Sequence, residues 1–237
     1  MAVNTLHRSN EPETMDNFHM EGEILKDALD KIASINQLLG GNKVTLEGIK
    51  KLMSGQPVST MFRITDIGCG NGDMLRAVAS YALQNQLNVE LLGIDANNFT
   101  VQHARNLSAD FPNIKYKCTD IFDAKSPLQS CDIVLCTLTL HHFKDEEIIG
   151  LLRDFQRKAE LGFVVNDLHR SALAYHLFRI ICFVFKLNHM SRSDGLISIL
   201  RGFKRKDLEK YSAVLQLKNS TIKWKWAFRY QWIVKTT

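Results

Sequence analysis

From residue 61 to residue 166, short apolar runs alternate with amphipathic segments, and this alternation restricts the fold more than any other feature of the chain. It favours a parallel sheet with right-handed crossovers and helices on both faces. We therefore predict a doubly wound α/β sheet. Strands are predicted at 62–67, 89–94, 114–118, 131–137 and 161–166, with helices near 73–85, 98–109 and 145–159.

Two helical segments precede the first predicted strand. Apolar residues recur at helical spacing from Ile24 to Leu39, where Gly40-Gly41 ends the pattern, and a second short helix is predicted near 45–53. We expect both helices to cover the binding site. At 237 residues the chain suits one domain. Its predicted parts are an N-terminal helical segment (1–60), a cofactor-binding core (61–170), a cap (171–210) and C-terminal strands (211–237).

The composition narrows the class of protein further. The formal net charge of +5 is spread along the chain, so it does not single out nucleic acid as a partner. The five cysteines are odd in number and lack a C-x-x-C pair, which indicates reduced thiols in a cytoplasmic protein. Residues 1–15 are polar, so we expect neither a signal peptide nor an anchor there, and disorder by default.

The first predicted strand ends in Asp66 and runs into glycines at positions 68, 70 and 72. Such glycines let the backbone turn sharply into a helix and approach a ligand closely. A dinucleotide-binding loop would carry its third glycine at position 73, where this chain has Asp73. Two carboxylates would repel a pyrophosphate and attract a cation. The alternative, a tight turn that binds nothing, stays open.

Acidic residues also follow the second and third predicted strands, where an open parallel sheet binds its ligands. Asp95 could accept hydrogen bonds from both hydroxyls of a ribose, or it could cap the helix that follows. Asp120 could accept the amino group of adenine while its apolar neighbours flank the ring; the alternative is an Asx turn. These strand ends indicate an adenosine cofactor.

The fourth predicted strand opens into Leu-His-His-Phe at 140–143. With the glycine loop and the three strand-end carboxylates, this segment resembles class I methyltransferases that depend on S-adenosylmethionine (SAM), over residues 62–166. The nearer resemblance is to bacterial enzymes that methylate small molecules of quinone and aromatic polyketide pathways. It implies a seven-stranded Rossmann-like sheet, SAM as cofactor and an apolar, aromatic or phenolic acceptor. The residues that it assigns to SAM are Asp66, Gly68, Cys69, Gly70, Asp95, Ala96, Asp120, Ile121, Thr137 and Leu138.

The resemblance leaves other functions open. Methyltransferases that act on exocyclic amines of nucleic-acid bases carry an Asp/Asn-Pro-Pro-aromatic run after the fourth strand, and this chain has no proline there. An enzyme of the same fold acting on RNA or protein, and a SAM-binding module without turnover, remain alternatives. We expect a monomer or a homodimer with a small-molecule acceptor and no nucleic-acid partner.

An acceptor hydroxyl of high pKa needs a general base, and histidine suits that role near neutral pH. The candidates are His141 and His142 after the fourth strand and His169 after the fifth. We favour His169, which would also bind the acceptor, with Asp167 as its orienting partner, and His142 as the second choice. A structural role for these histidines is the alternative. Cys131 and Cys136 point to opposite faces of a strand, so they cannot join the histidines around one zinc ion, and we expect no metal.

The predicted cap begins with an apolar stretch at 172–187 that is too short and too charged to span a bilayer. It could be a lid on the acceptor pocket, a helix resting on a membrane surface, or a helix buried on the sheet edge. Further along, Arg192 and Arg201 could clamp an acceptor carboxylate or phenolate. Their alternative is an internal Arg–Asp pair that fixes the loop.

The last predicted element spans residues 221–234, where aromatic residues alternate with mostly polar ones. Fourteen residues exceed a usual strand, so we predict an antiparallel hairpin with its turn near Trp226-Ala227. The interleaved aromatic and basic side chains could instead stack RNA bases.

Overall fold

The computed structural model describes residues 3–57, 59–125 and 128–236. Within these residues, the strands are β1 (Met61–Ile67), β2 (Asn88–Asp95), β3 (Ile114–Cys118), β4 (Cys131–Thr137), β5 (Ala159–Leu168), β6 (Ser220–Lys225) and β7 (Arg229–Lys235). They form one sheet in the order β3-β2-β1-β4-β5-β7-β6. Strands β1 to β5 pair in parallel, and β7 is antiparallel to both of its neighbours. The predicted doubly wound, Rossmann-like sheet is confirmed.

The helices include those expected between the strands and three in the predicted cap region. They are α1 (Glu23–Leu38), α2 (Gly41–Met53), α3 (Asp73–Gln84), α4 (Asn98–Leu107), α5 (Asp145–Lys158), α6 (Ala172–Val184), α7 (His189–Arg201) and α8 (Arg205–Val214). Helix α2 begins four residues earlier than predicted, because Gly40 adopts a left-handed φ of +75° and lets the chain re-enter a helix at once.

The core lies on the two faces of the sheet, as the alternation of side chains along each strand requires. On one face, Val134 and Phe163 pack with Trp232 and with Phe155 of α5. On the other face, Leu135 belongs to a second buried cluster that α2, α3 and α4 cover. Apolar residues that follow one another in β4 therefore serve different layers, which is why this strand is apolar throughout.

A separate layer of α1, α6 and α7 lies over the carboxyl ends of the strands. Leu29 of α1 packs with Met190 of α7, and Ile35 packs with Cys182 of α6. Helix α8 belongs elsewhere, since its Tyr211 joins the main core beside β6. The covering part of the predicted cap therefore ends near residue 203, and the N-terminal helix completes it.

Helix α6 packs against α7 and not against the sheet, which fits the lid alternative and not a helix buried on the sheet edge. Phe178 packs against Gly195 of α7, where a Cβ atom would lie 2.4 Å from its ring, and Leu177 and Ile181 line a cavity. Its outward side exposes Phe183 and Val184 to solvent. Among the residues that the structure describes, none of the helices has the length and apolar character needed to cross a membrane.

The predicted C-terminal hairpin is confirmed. Strands β6 and β7 pair from Ser220–Val234 to Lys225–Arg229, and the turn between them has left-handed φ angles of +61° at Ala227 and +54° at Phe228. The turn brings Trp226 to the same end of the sheet as the carboxyl end of β5. The alternating aromatic residues thus serve a sheet edge.

The N-terminal residues 8–20, here called the strap, cross the carboxyl ends of the strands. Arg8 donates through Nη2 to the carbonyl oxygens of His141 (3.0 Å) and Phe143 (2.9 Å). The Asp194 carboxylate of α7 accepts from the backbone N–H groups of Thr14 (2.9 Å) and Met15 (3.0 Å). The expectation of disorder is therefore wrong for residues 8–15, because distant side chains satisfy the polar groups of this segment.

Candidate active site

The glycine loop after β1 is a close-packed turn. Gly68, Gly70 and Gly72 have φ angles of +66°, +51° and +79°. A Cβ atom at Gly68 would lie 2.3 Å from the Thr139 side chain, and one at Gly72 would lie 2.1 Å from the hydroxyl of Tyr116. A Cβ at Gly70 would meet only a leucine methyl at 3.9 Å, so this glycine borders open space. A tight turn that binds nothing, the alternative given above, explains the glycines at 68 and 72. It does not explain Gly70, which faces the cavity.

Asp66 carries a buried carboxylate with an unsatisfied oxygen at the end of β1. Its Oδ1 has no hydrogen-bond partner among the described residues. Burial raises the pKa of Asp66 well above its usual range, and the neighbouring Asp95 and Asp73 raise it further. A buried, unpaired carboxylate is costly, so this position suits a ligand that brings a positive charge or hydrogen-bond donors.

Asp95 joins the glycine loop to β2. Its Oδ2 accepts from the N–H of Gly70 (3.1 Å) and its Oδ1 from the N–H of Asn97 (3.0 Å). Burial raises the pKa of Asp95 in spite of these two bonds. Asn97, and not Asp95, caps α4, because the Asn97 side chain accepts a hydrogen bond from the N–H of Thr100 (2.9 Å). Each Asp95 oxygen keeps a lone pair for a ligand.

Asp73 has a different role from the other two carboxylates. It accepts a hydrogen bond from Gln37 at the end of α1, and its Oδ2 accepts from Nδ2 of Asn42 in α2 (2.8 Å). This residue therefore ties α1 of the covering layer and α2 on the sheet to the start of α3, so only α1 covers the site as predicted.

The ends of β3 and β4 supply the remaining predicted cofactor residues. Asp120 forms the Asx turn that was its alternative, since its Oδ1 accepts from the N–H of Phe122 (2.9 Å). Its carboxylate is exposed, and Asp120 lines the cavity with the neighbouring Ile121. The Thr137 hydroxyl lies 3.1 Å from that of Thr45, and Leu138 has a left-handed φ of +54°.

One cavity of about 990 Å³ joins these strand ends to the covering layer. Apolar side chains of α1 and α6, among them Leu29, Ile32 and Phe178, form part of its wall. The structure brings all the predicted cofactor residues together here: Asp66, Gly68, Cys69, Gly70, Asp95, Ala96, Asp120, Ile121, Thr137 and Leu138.

A buried histidine and aspartate meet between the ends of β4 and β5. Nδ1 of His141 lies 2.7 Å from Oδ1 of Asp167, and the backbone N–H of His141 donates to Oδ2 (3.2 Å). Burial would raise the pKa of Asp167, but the charge and hydrogen bond of His141 outweigh it, and the pKa is lowered. Asp167 therefore orients His141, which corrects its predicted pairing with His169. The ionised carboxylate holds a proton on Nδ1 and leaves Nε2 as the basic nitrogen.

Glu13 of the strap covers this basic nitrogen. Its Oε1 lies 3.7 Å from Nε2 of His141 and 3.8 Å from Nδ1 of His142, and neither Oε1 nor Nε2 has a hydrogen-bond partner among the described residues. Burial raises the pKa of Glu13 above its ordinary value. A buried carboxyl whose pKa is raised thus lies opposite Nε2 of His141 at the cavity wall.

Glu13, His141 and His142 could together offer three ligand atoms to a metal ion, since these atoms lie within 4.8 Å of one another. Two features of the group argue for proton chemistry instead. Nδ1 of His142 is already 2.7 Å from Oδ1 of Asp16, and the guanidinium of Arg201 places a positive charge 3.8 Å from Glu13. A metal ion would have to displace the first and be repelled by the second.

His169 lines the cavity in an environment unlike that of His141. Nε1 of Trp224 donates to its Nδ1 (3.2 Å), and because indole is only a donor, the neutral imidazole carries its proton on Nε2. Burial lowers the pKa of His169, and Lys204 and Arg170 lower it further. His169 therefore presents a hydrogen-bond donor to the cavity. This fits a role in binding the methyl acceptor better than a role as the base that removes its proton.

The two predicted clamp arginines occupy different positions. Arg192 is exposed, donates to the carbonyl of Leu187 (2.7 Å) and lies outside the residues that line the cavity, so the structure does not bring it to the site. Arg201 does line the cavity, but its Nη1 pairs with Oδ2 of Asp16 (2.6 Å) and its Nε donates to the carbonyl of His141 (3.1 Å). Its internal alternative is the observed one.

Sequence reasoning missed Glu13, and it preferred His169 to His141 as the partner of Asp167. Glu13 stands in a polar segment without periodicity, so no signal distinguishes it there. His141 and His142 are adjacent in a 3₁₀ turn, where no strand or helix pattern tells which one points inward.

Comparison with known proteins agrees with this geometry. Residues 64–162 match the family described as "Methyltransferase domain". No curated protein sequence matches the chain at a significant level.

Several solved structures share the fold. The plantazolicin methyltransferase BpumL in complex with SAH is 15% identical, with 90% of this chain and 93% of that chain covered and a TM-score of 0.65. The CurJ carbon methyltransferase is 16% identical, with 82% and 54% covered and a TM-score of 0.60. Magnesium protoporphyrin IX methyltransferase (ChlM) from Synechocystis PCC 6803 with bound SAH is 14% identical, with 84% of each chain covered and a TM-score of 0.56.

The family match bears out the predicted resemblance to methyltransferases. Residues 64–162 form a methyltransferase domain, and the chain has the Rossmann-like fold of these solved structures.

Proposed function

We propose that the protein transfers a methyl group from SAM to an apolar small molecule, aromatic or phenolic in character, in the cytoplasm. The observation that carries this proposal is the His141–Asp167 pair, which lies on the wall of the same cavity as the carboxylates of Asp66 and Asp95. The five unpaired cysteines are consistent with a reducing compartment.

The donor set at the strand ends fits SAM. The unsatisfied Oδ1 of Asp66 suits a cationic cofactor, the free lone pairs of Asp95 suit ribose hydroxyls, and Asp120 with Ile121 suits adenine. Gly70 leaves room for close approach of the ligand. When bound, SAM supplies an electrophilic methyl group, whose C–S bonding electrons leave with the sulfur.

The remaining chemistry belongs to the chain. His141 takes the proton of the acceptor nucleophile at Nε2, and Asp167 stabilises the imidazolium that results. His169, which lines the same cavity, donates a hydrogen bond to the methyl acceptor. Because Glu13 covers Nε2 in this structure, the strap has to shift before the acceptor reaches the base. The apolar wall of α1 and α6 then holds the rest of the acceptor and excludes water.

The direct test supplies the protein with methyl-labelled SAM and a cell extract. We expect label in organic-extractable material. Exchange of His141 for glutamine (His141→Gln) should lower the transfer rate by about 10²- to 10⁴-fold, the usual contribution of a general base, with SAM affinity unchanged. The matched control is His189→Gln, an exposed histidine of α7 that does not line the cavity.

Three results would contradict parts of the proposal. Failure to bind SAM in calorimetry would reject the donor. Label in RNA or protein would reject the acceptor class. An active His141→Gln variant beside an inactive His169→Gln variant would move the base to His169.

A further inference from the structure

Arg229, the first residue of β7, carries a buried positive charge that the fold does not pair. The residue is 4% exposed, and its Nε and Nη1 have no hydrogen-bond partner among the described residues. No carboxylate of the described residues forms an ion pair with it within 4.0 Å. Burial lowers the pKa of Arg229 to about 10, while the charge of Asp167 acts in the opposite direction. The guanidinium is still protonated at neutral pH, so the fold keeps an uncompensated cation.

The surroundings of Arg229 are shaped around this side chain. Gly41 stands next to it, and a Cβ atom at that position would lie 3.0 Å from Cζ of Arg229. Asp167 is the acidic residue whose charge acts on Arg229, but both of its carboxylate oxygens are hydrogen-bonded to His141. Arg229 itself lines the cavity, together with Trp226 and Phe228 of the same hairpin. Arg229 therefore belongs to the cavity wall, and its unsatisfied donors are buried behind that wall.

The order of the strands places this cation on the acceptor side. Asp66 and Asp95 lie at the ends of β1 and β2, whereas Arg229 lies on β7, beyond β4 and β5. Neighbouring strands are about 4.8 Å apart, so about 14 Å of sheet separates Arg229 from the Asp66 strand. The carboxylates at one end suit the cationic part of the cofactor, and the cation at the other end suits an anion.

We propose that Arg229 binds a carboxylate group of the acceptor, which makes the acceptor an apolar carboxylic acid. This inference rests on the proposed function only where it identifies the bound acid as the methyl acceptor. The anion site itself is defined by the buried guanidinium and the apolar cavity. Arg229 takes the role that the sequence assigned to Arg192 or Arg201. The carboxylate anchors the acceptor at β7, and its nucleophilic group is presented to His141.

The test uses 4-hydroxybenzoate as the probe, with 4-hydroxybenzamide as its neutral counterpart, in the presence of SAH. Calorimetry should show that the wild-type protein binds the acid about 10- to 100-fold more tightly than the amide, the usual range for a hydrogen-bonded charge pair. Arg229→Gln should abolish this preference. Arg192→Gln, an exposed arginine outside the cavity, is the matched control and should retain it.

A thermal unfolding series separates binding from a structural role. Because Arg229→Gln removes an unpaired buried charge, the unliganded variant should melt at or above the wild-type temperature. The acid should raise the melting temperature of the wild-type protein and leave that of the variant unchanged. If Arg229→Gln melts far below the wild type, Arg229 has a structural role. In that case we expect Arg229→Lys to restore the stability but not the preference for the acid.

Two further outcomes would overturn the assignment. If Arg229→Gln weakens SAH but not methylthioadenosine, which lacks the carboxylate, Arg229 holds the cofactor and not the acceptor. If the wild-type protein does not distinguish the acid from the amide, the cavity has no anion site. Since neither readout needs turnover, an inactive protein that still prefers the acid would reject the proposed function and keep this inference.

Discussion

At the scale of single residues, Asp66 shows how a binding site is held at the expense of stability. Its carboxylate is buried, one oxygen is unsatisfied, and two further carboxylates stand nearby. The fold disfavours the charged form of this side chain, whereas the unfolded chain does not. A cationic ligand would relieve this cost, so binding and stability are coupled at one atom.

Exchange of Asp66 for asparagine tests this coupling. Because the pKa of Asp66 is raised in the folded state, wild-type stability falls as the pH rises above the ordinary range of aspartate, while the variant lacks this loss. At neutral pH we expect Asp66→Asn to melt a few degrees higher without ligand, about 2–4 °C per kcal/mol for a chain of this size. SAM should bind it more weakly, by roughly 1–3 kcal/mol.

Thermal unfolding from pH 4 to pH 8 and calorimetry with SAM supply both readouts. Asp110→Asn, an exposed aspartate after α4, serves as the control and should alter neither. A lower melting temperature for Asp66→Asn at pH 7 would show that the carboxylate stabilises the free protein.

At the scale of elements, the turn from β1 into α3 is a joint between three strands. The N–H groups of Gly68 and Cys69 donate to the carbonyl of Ile94 at the end of β2 (2.8 and 3.0 Å), and Gly68 packs on Thr139 after β4. A side chain at position 68 is therefore disfavoured twice, because the backbone angle is left-handed and because Thr139 occupies the space.

Gly68→Ala should therefore destabilise the protein. A left-handed backbone costs alanine about 1–2 kcal/mol, and the clash with Thr139 adds about 1–3 kcal/mol. Urea unfolding measures the loss. The control is Gly150→Ala in α5, where a Cβ atom meets nothing within 4 Å and the gain in helix propensity should stabilise by about 0.5–1 kcal/mol. Equal stability of the two variants would mean that the turn rearranges freely.

The elements also show how far the sequence predicts the site. The strand-end residues Asp66, Asp95 and Asp120 could be located because strand periodicity places them before any contact is known. The pairing of His141 with Asp167 could not, since Asp167 lies in β5 whereas His141 lies in a 3₁₀ turn beyond the last pair of β4 with β5, Thr137–Asn166. Tertiary packing decides the direction of such side chains, and neither period two nor period 3.6 continues there.

At the scale of the whole molecule, the site is closed by segments that lie far apart in the sequence. The strap reaches His141 and Phe143 through Arg8, and α7 through Asp194. Asp16 bridges these parts, since it pairs with His142 and with Arg201. Helices α1, α6 and α7 complete the cover.

Asp16 should act as the acid-sensitive fastening of this cover. Burial would raise its pKa, but hydrogen bonds from His142 and Arg201 outweigh burial, and the pKa of Asp16 is strongly lowered. The stability that it contributes is therefore present above the ordinary pKa of aspartate and is lost as the pH falls toward the lowered value. In Asp16→Asn the strap should open more often even at neutral pH.

Hydrogen exchange at the N–H groups of Thr14 and Met15 reports this opening, because both are bonded to Asp194 in the closed form. We expect exchange in Asp16→Asn to be about tenfold faster, which corresponds to the loss of roughly one charged hydrogen bond. Asp110→Asn should exchange at the wild-type rate. Equal rates in the two variants would show that Asp16 does not hold the strap.

The position of the strap has a consequence for how the protein matures on the ribosome. Its partners Asp194 and Arg201 lie 180 and 185 residues further along the chain. The strap is synthesised before α7, so its hydrogen-bonding partners become available only after α7 has emerged. The strands β1 to β5, whose carboxyl ends carry the predicted cofactor residues, also precede α7 in the chain. The strap can therefore close over the cavity only at a late stage of synthesis of the chain.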